Sequence, residues 1–177
     1  YFLYNNWDFN ALGAILEQVT RRGFYDILTE DIARPIGLQD WPPAAGSYRD
    51  MIRNDTGLSK HPAHHIVLST RDMARVGYLM LRNGRWGDRQ VLPAAWVGRI
   101  SRTVTPAADV ARTSPFVDGL GYGLLWWTFD GEAFRRTPLR GAYTASGAFG
   151  QFITVIPRLD LVVAHKDDTN EYVRVLR

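Results

Sequence analysis

The sequence predicts an α+β fold in which a helical region precedes an antiparallel sheet. Apolar residues recur at helical spacing at several places in residues 1–118, whereas residues 119–177 contain short runs rich in β-branched and aromatic residues. Helices that come first and consecutive strands that follow are typical of α+β proteins. We therefore expect a helical region over 1–118 and sheet strands over 119–177, both parts of one incomplete domain.

The first predicted helix follows two capping signals, Asn6 and Asp8, and is stopped by Gly23. Its apolar residues recur three or four positions apart; they are Phe9, Leu12, Ile15, Leu16 and Val19. A second helix is predicted over residues 24–32, because its apolar residues share one face and Pro35 then breaks the chain.

A long segment over residues 39–65 is rich in Pro, Gly, Ser and Asp, which predicts irregular structure. The stretch STRDMARVGYLMLRNG then predicts a third helix, with Ser or Thr as the N-cap and Asn-Gly as the end. LPAAWVGRIS predicts a short fourth helix with a proline near its first turn, and residues 102–118 are predicted to form a polar linker.

The strand-like part begins at Gly119 and contains four runs, YGLLWWTF, AYTAS, QFITVI and LVVAHKD. Gly, Pro and Asp separate these runs, and IPRLDL between the last two is typical of a tight hairpin connection. Consecutive strands with short connections favour antiparallel pairing.

The overall composition excludes several classes of function. A net charge of +3 comes from 21 basic and 18 acidic residues that are interspersed along 177 positions, so no basic groove for nucleic acid is predicted. The absence of cysteine excludes disulfides, thiol catalysis and Cys-ligated metals. No apolar run has the length that a membrane span needs.

The chain begins with Tyr1 instead of Met, in the middle of a pattern, and without a signal-like segment. We therefore expect it to be a piece of a longer protein, and its cellular compartment cannot be read from the sequence.

Tyr4 and Asn6 are the first candidate site. They precede the first helix, and alternate residues of an extended segment point to the same side, so both could face one cavity. A phenol acts as a proton carrier only if nearby positive charge lowers its pKa from about 10. The structural alternative is a capping asparagine beside a half-buried tyrosine.

The segment GAYTASGAFGQFITVIP, residues 141–157, is the second candidate site. Small side chains on a strand edge let a substrate approach, and exposed N–H groups there can stabilise an oxyanion. The alternative is an ordinary bulge or hairpin. Ser146 is a weak candidate nucleophile, because TASGA lacks the outer glycines of G-x-S-x-G and a strand, not a helix, is predicted to follow.

Three histidines in HPAHH, namely His61, His64 and His65, suggest a metal cluster by residue type. A zinc site needs a fourth group and an ordered scaffold, whereas this stretch contains proline and lies in the predicted irregular segment. Structural or surface roles are the preferred interpretation.

Four segments together resemble the serine β-lactamase and penicillin-binding-protein superfamily, in particular the branch of class C β-lactamases and family VIII esterases. YNN, with Gly13 nine residues after its tyrosine, resembles the second of the three family motifs, which are S-x-x-K, Y-x-N and K-T-G. IVLSTRDMARVGYLML, GYGLLWW and GAFGQFITVIP resemble further family segments in the same order and spacing. The resemblance implies a β-lactamase/transpeptidase-like fold.

The resemblance also implies roles for named residues. Tyr4 would be the general base and acid, and Asn6 would orient a lysine and the substrate. The backbone N–H of Ala145 would be an oxyanion donor, and Tyr143 or Thr144 would bind substrate.

Two departures from the family pattern change the expected function. No serine is followed three residues later by lysine, so the nucleophile and its lysine are expected upstream, and this chain alone should be inert. The K-T-G positions fall on Ala142, Tyr143 and Thr144, so a cation that binds substrate carboxylates is missing. An ester or amide substrate is therefore favoured over penicillins.

The resulting hypothesis is a serine hydrolase that cleaves a small ester or amide through an acyl-enzyme, without metal or organic cofactor. A non-catalytic binding or scaffold protein is the alternative, and a zinc hydrolase ranks third. Many relatives are exported, which makes the bacterial periplasm a plausible location. Because sheet strands would be missing, we expect the isolated chain to aggregate or fold poorly.

Overall fold

The structure is a computed structural model that describes residues 2–41, 59–111, 119–148 and 150–167, together with the backbone of 52–53. Parts of the predicted irregular segment 39–65 and of the predicted linker 102–118 lie outside the described residues. The chain divides into an N-terminal unit, Tyr4–Asp72, and a sheet unit, Tyr1–Leu3 with Met73–Arg177. No helix in the described ranges has the length and apolar character that a membrane span requires.

Two helical segments open the N-terminal unit, as predicted. Helix α1 spans Asn6–Thr20, and helix α2 spans Phe24–Ile27 and continues as a π-helix over Leu28–Ala33. The predicted cap was wrong by one residue, because the N-cap is Asn5, whose side-chain oxygen accepts a hydrogen bond of 2.9 Å from the N–H of Trp7.

The expected stop at Gly23 also lies elsewhere. Helix α1 already ends at Arg21, which adopts a left-handed conformation with φ 58°. Gly23 is instead the N-cap of α2. A basic residue gives no sequence signal for a left-handed helix end, whereas a nearby glycine does.

The N-terminal unit has a small aromatic core around Tyr25, Ala33 and Trp41. The Tyr25 hydroxyl donates a hydrogen bond of 3.0 Å to the carbonyl of His65, and the Trp41 indole N–H donates one of 3.0 Å to the hydroxyl of Thr29. These bonds satisfy the polar ends of the buried rings.

The predicted apolar stripe of α1 is exposed within the described residues. Exposed side chains on this helix include Phe9, Leu12, Ile15 and Val19, whose exposed fractions run from 36% to 76%. The buried position of the helix is Gly13. A stripe of this size is a surface that another part of a protein usually covers.

Two short strands and one buried carboxylate complete the N-terminal unit. Strand β1, Ile52–Arg53, pairs antiparallel with β2, Ala63–His64, inside the segment predicted to be irregular. The carboxylate of Asp72 is fully buried and accepts backbone hydrogen bonds of 2.8 Å from Gln39 and 2.9 Å from Asp40.

Helix α3, Thr70–Leu81, begins in the N-terminal unit and continues into the sheet unit. Ser69 caps it, because its hydroxyl accepts a hydrogen bond of 3.1 Å from the N–H of Asp72. The third and fourth predicted helices are thus confirmed, the fourth as α4, Ala94–Ile100. Between them lies a two-stranded hairpin of β3, Arg85–Trp86, and β4, Arg89–Gln90.

A five-stranded antiparallel sheet forms the rest of the sheet unit, with its strands in sequence order. The α+β prediction is therefore confirmed. The strands are β5, Gly121–Tyr122; β6, Trp127–Thr128; β7, Tyr143–Gly147; β8, Gln151–Ile156; and β9, Leu161–His165.

YGLLWWTF was predicted as one run but forms a hairpin of β5 and β6. Leu125 lies in the intervening turn with φ 67°, and the N–H of Gly123 donates to the carbonyl of Trp126 at 2.7 Å. A continuous apolar run does not reveal such a turn, because leucine rarely adopts positive φ.

The core of the sheet unit lies between α3, α4 and the sheet. It contains Met80, Val97, Ile100, Tyr143 and Val155. The compact unit therefore begins at Met73 and not at the change of sequence character at residue 119, because both helices bury apolar side chains against β7 and β8.

Candidate active site

Tyr4 and Asn6 flank the capped N-terminus of helix α1. Tyr4 is half-buried, and its ring lies 5.8 Å from that of Phe9. Asn6 is the first helical residue and is exposed. The extended residue between them, Asn5 with φ −141° and ψ 127°, uses its side chain for the cap and leaves the Asn6 carboxamide outside it.

Burial raises the pKa of the Tyr4 phenol above its usual value. This direction favours the protonated phenol and therefore opposes a role as general base. A cation beside the hydroxyl would be needed to lower the pKa again. The two lysines of the sequence, Lys60 and Lys166, do not belong to an S-x-x-K motif.

Tyr143 is a core residue of the sheet unit. Its side chain is 4% exposed, and its hydroxyl donates a hydrogen bond of 3.2 Å to the backbone carbonyl of Met80. Burial raises the pKa of this phenol to about 12. A side chain held in this way is not available to a substrate, so Tyr143 does not fit the substrate-binding role expected of it.

Thr144 points to the other face of the sheet, because successive residues of a strand alternate. Its hydroxyl lies 2.9 Å from that of Thr154 and also donates to the carbonyl of Ala145 at 3.3 Å. The side chain is nearly fully buried. Its substrate-binding role stays a prediction, and in the present structure its hydroxyl is engaged within the sheet.

Backbone groups of β7 alternate between its two neighbouring strands. The carbonyl of Ala142 accepts a hydrogen bond of 2.9 Å from the N–H of Phe129, which lies on the β6 side. Because successive residues of an antiparallel strand direct their backbone groups to opposite sides, Thr144 and Ser146 also face the β6 side. Ala145 faces β8.

This alternation does not match the oxyanion role expected of Ala145, whose N–H is directed at its partner Ile153 in β8. The N–H of Ser146 faces the opposite side. Regular pairing would place Leu125 opposite Ser146, but that residue lies in the turn before β6, which begins at Trp127. Among the described strands, the β6-side edge of β7 is therefore unpaired at Ser146.

Ser146 does not lie in a nucleophile elbow. That motif places the serine on a sharp turn from a strand into a helix. Here Ser146 lies within β7, and the next element is strand β8. Ser146 therefore lacks the geometry of that motif and stays a weak candidate nucleophile.

The histidines of HPAHH lie in different environments. The His61 ring lies 5.7 Å from that of Trp7, the His64 side chain is buried, and His65 is exposed. Within the described ranges, no three His, Cys, Asp or Glu side chains are arranged to hold a metal ion.

The candidate residues belong to two units. Tyr4 and Asn6 lie in the N-terminal unit, and Ala142 to Ser146 lie in the sheet unit. The N–H of Ser146, at an edge that no described strand pairs, was missed from the sequence, because its direction depends on strand register. The only available signal was the small side chains of TASGA.

A family model described as Beta-lactamase matches residues 1–165, which is most of the chain. The chain belongs to the beta-lactamase family. It is a member of the serine β-lactamase and penicillin-binding-protein-like superfamily, as the four sequence segments predicted. Membership places this beta-lactamase-family chain among hydrolase-type proteins.

Solved structures support the same fold for this beta-lactamase-family chain. A Bacillus anthracis protein provisionally named as a 6-aminohexanoate-dimer hydrolase is similar with a TM-score of 0.65 and 23% identity, over 93% of this chain and 37% of that chain. A provisionally named β-lactamase from Bacteroides dorei DSM 17855 is similar with a TM-score of 0.55 and 18% identity, over 88% and 47%. No curated protein sequence matches the chain.

The family member described here thus spans less than half the length of these two solved structures. At these identities the likeness shows the fold alone.

Proposed function

We propose that the chain is part of a serine hydrolase that cleaves an ester or amide through an acyl-enzyme intermediate. The observation that carries the proposal is Tyr4, a half-buried phenol directly before the capped N-terminus of α1, in a Y-x-N motif of a beta-lactamase-family chain. The nucleophilic serine and its lysine belong to an upstream segment of the same protein.

In the proposed reaction the serine hydroxyl attacks the acyl carbon and transfers its proton to the Tyr4 phenolate. The resulting phenol then gives that proton to the leaving alkoxide or amine as its bond to the acyl carbon breaks. Water then attacks the acyl-enzyme while the Tyr4 phenolate takes a proton from it, and Tyr4 returns this proton to the serine oxygen as the acyl–serine bond breaks and the acid leaves. The upstream lysine offsets the effect of burial on the Tyr4 pKa.

Within strand β7, we assign the oxyanion donor to the N–H of Ser146, because this N–H faces the unpaired edge and that of Ala145 faces β8. Asn6, exposed at the start of α1, orients the substrate and the lysine. The substrate class follows from the third motif, where Ala142, Tyr143 and Thr144 supply no cation for a substrate carboxylate.

Fluorophosphonate labelling of the full-length natural protein tests this function, with the adduct located by peptide mass spectrometry. We expect an adduct on an upstream serine that is followed three residues later by lysine. Tyr4→Phe should slow labelling by about 10²-fold or more, as loss of a general base does. Tyr78→Phe is the matched control, because Tyr78 is a 41% exposed surface phenol outside the proposed site.

A non-catalytic binding protein is the second candidate. It is favoured by the third motif, in which Ala142 is buried and Tyr143 is part of the core. A well-folded full-length protein that forms no adduct would support this candidate. An adduct on Ser146 would instead show that the nucleophile is assigned wrongly.

A further inference from the structure

We propose that His64 is a positioning residue that fixes helix α1, and with it Tyr4 and Asn6, through a direct contact with Gly13. The inference rests on the proposed function, since His64 and Gly13 would position the residues of the same site. All of these residues belong to the N-terminal unit.

The imidazole of His64 lies directly on the backbone of α1. A β-carbon placed on Gly13 would stand 2.8 Å from His64 Nδ1 and 3.2 Å from Cε1. A β-carbon contact of 2.8 Å essentially never occurs in proteins, and one of 3.2 Å is tight, so either the ring or the helix would have to move. Gly13 is also the buried position of the helix, and His64 belongs to strand β2, which contacts α1.

The ring has little room to move away from Gly13. Its side chain is 5% exposed, and it stacks on Phe24 with a centroid distance of 4.7 Å and an interplanar angle of 29°. Tyr25 meets it edge-on at 5.8 Å. His64 Nε2 lies 3.7 Å from a carboxylate oxygen of Glu17, which accepts a hydrogen bond of 2.8 Å from the N–H of Phe24. The imidazole is thus held between α1 and α2.

Hydrogen bonding of Nδ1 does not explain why a histidine side chain lies between these helices. His64 Nδ1 is buried and has no hydrogen-bond partner in the described part of the chain. A buried polar atom without a partner disfavours the folded state. An apolar side chain would avoid that penalty. The flat shape of the ring and its contact with Glu17 therefore account for the presence of a histidine here.

Helix α1 connects the contact at Gly13 with the proposed site. Asn6 and Gly13 belong to one continuous helix, and their separation of seven residues corresponds to about 10 Å along its axis. A displacement of α1 at Gly13 is therefore transmitted to Asn6 and to the preceding Tyr4. Displacements of about 1 Å in a catalytic group can lower rates by about 10²-fold.

The test uses steady-state kinetics of the full-length protein on a chromogenic ester, at a temperature at which all variants are folded. Gly13→Ala should lower kcat by about tenfold or more and change KM less than kcat, because the displaced phenol of Tyr4 acts in the chemical steps and Asn6 is one substrate contact among several. The double variant Gly13→Ala with His64→Ala should regain part of the lost kcat, since the new methyl group then occupies space that the ring has left and restores part of the contact that fixes α1.

Gly98→Ala is the matched control. Gly98 also lies in a helix, α4, but a β-carbon there would meet no atom of the described residues within 4 Å. Both substitutions gain helix propensity, and the contact with His64 is present at Gly13 and not at Gly98. Gly98→Ala should leave kcat and KM unchanged.

The inference is overturned if Gly13→Ala lowers only the melting temperature while kcat of the folded enzyme stays at the wild-type value. It is also overturned if the double variant restores stability without restoring kcat. If Gly13→Ala does not fold, the variant His64→Asn replaces it in the test, because an asparagine side chain is too short to contact Gly13. A lowered kcat of this variant supports the positioning role, and an unchanged kcat contradicts it. A wild-type protein that is not labelled by fluorophosphonate would remove the proposed function itself.

Discussion

The phenol of Tyr143 on strand β7 donates a hydrogen bond to the backbone carbonyl of Met80, near the end of helix α3, over 3.2 Å. Both residues belong to the core of the sheet unit, where the Tyr143 ring also meets Trp126 edge-on at 5.4 Å. A position that the family pattern assigns to substrate binding is here used for packing a helix on a sheet.

Tyr143→Phe should therefore change stability and leave catalysis intact. Removal of one net hydrogen bond, which leaves the Met80 carbonyl without its partner, should lower the free energy of unfolding by about 1 kcal/mol. Denaturant unfolding of the full-length protein measures this loss, and ester hydrolysis measures KM. A tenfold rise in KM at unchanged stability would instead show that Tyr143 binds substrate.

Stability should also fall at alkaline pH. Burial raises the pKa of Tyr143 to about 12, and burial raises that of Tyr25 to about 12 with a smaller contribution from Glu17. Above pH 10 the unfolded phenols lose protons that the folded phenols retain, so unfolding becomes more favourable as pH rises. The stabilisation is fully present below about pH 10, the ordinary tyrosine value, and is lost as pH rises through about 12.

Unfolding midpoints measured between pH 8 and 12 check this expectation. Tyr143→Phe should flatten part of the alkaline decline, because one of the two raised groups is gone. A decline of equal steepness in the variant would mean that other groups cause it.

Helices α1, α3 and α4 could be predicted from the sequence because their apolar residues recur at helical spacing next to capping residues. The order of the strands followed from short connections between β-like runs. The turn at Leu125 could not be predicted, since it requires a positive φ in a residue that seldom adopts one.

The candidate site was only partly predictable. Tyr4 and Asn6 stand in a local motif, which a sequence can show directly. The direction of the Ala145 and Ser146 N–H groups depends on pairing with β6 and β8, and a shift by one residue reverses every direction. Likewise, the contact of His64 with Gly13 joins residues 51 positions apart, and no local pattern indicates it.

Asp72→Asn should destabilise the N-terminal unit strongly. Both carboxylate oxygens of this fully buried residue accept backbone N–H groups, from Gln39 at 2.8 Å and from Asp40 at 2.9 Å. The asparagine amide keeps one acceptor oxygen, but its NH₂ group would face a backbone N–H. Two donors that face each other cannot form a hydrogen bond. We expect a loss of about 2 kcal/mol in the free energy of unfolding.

Urea denaturation of the full-length protein measures the effect of Asp72→Asn. Asp88→Asn is the matched control, because Asp88 is fully exposed and lies 3.7 Å from the Arg85 guanidinium, too far for a hydrogen bond. Equal effects of the two substitutions would contradict the role of the buried carboxylate.

The assignment of the oxyanion donor to Ser146 can be tested by replacing single backbone N–H groups with ester oxygens in the full-length protein. An ester at Ser146 removes the N–H that faces the unpaired edge of β7, so kcat should fall by about 10²- to 10³-fold with little loss of stability. An ester at Ala145 instead removes a ladder hydrogen bond to β8. It should lower the free energy of unfolding by about 1 kcal/mol and change kcat by less than tenfold. The opposite pattern, with the large loss of kcat at Ala145, would show that the family position holds and that β7 pairs in a different register in the whole enzyme.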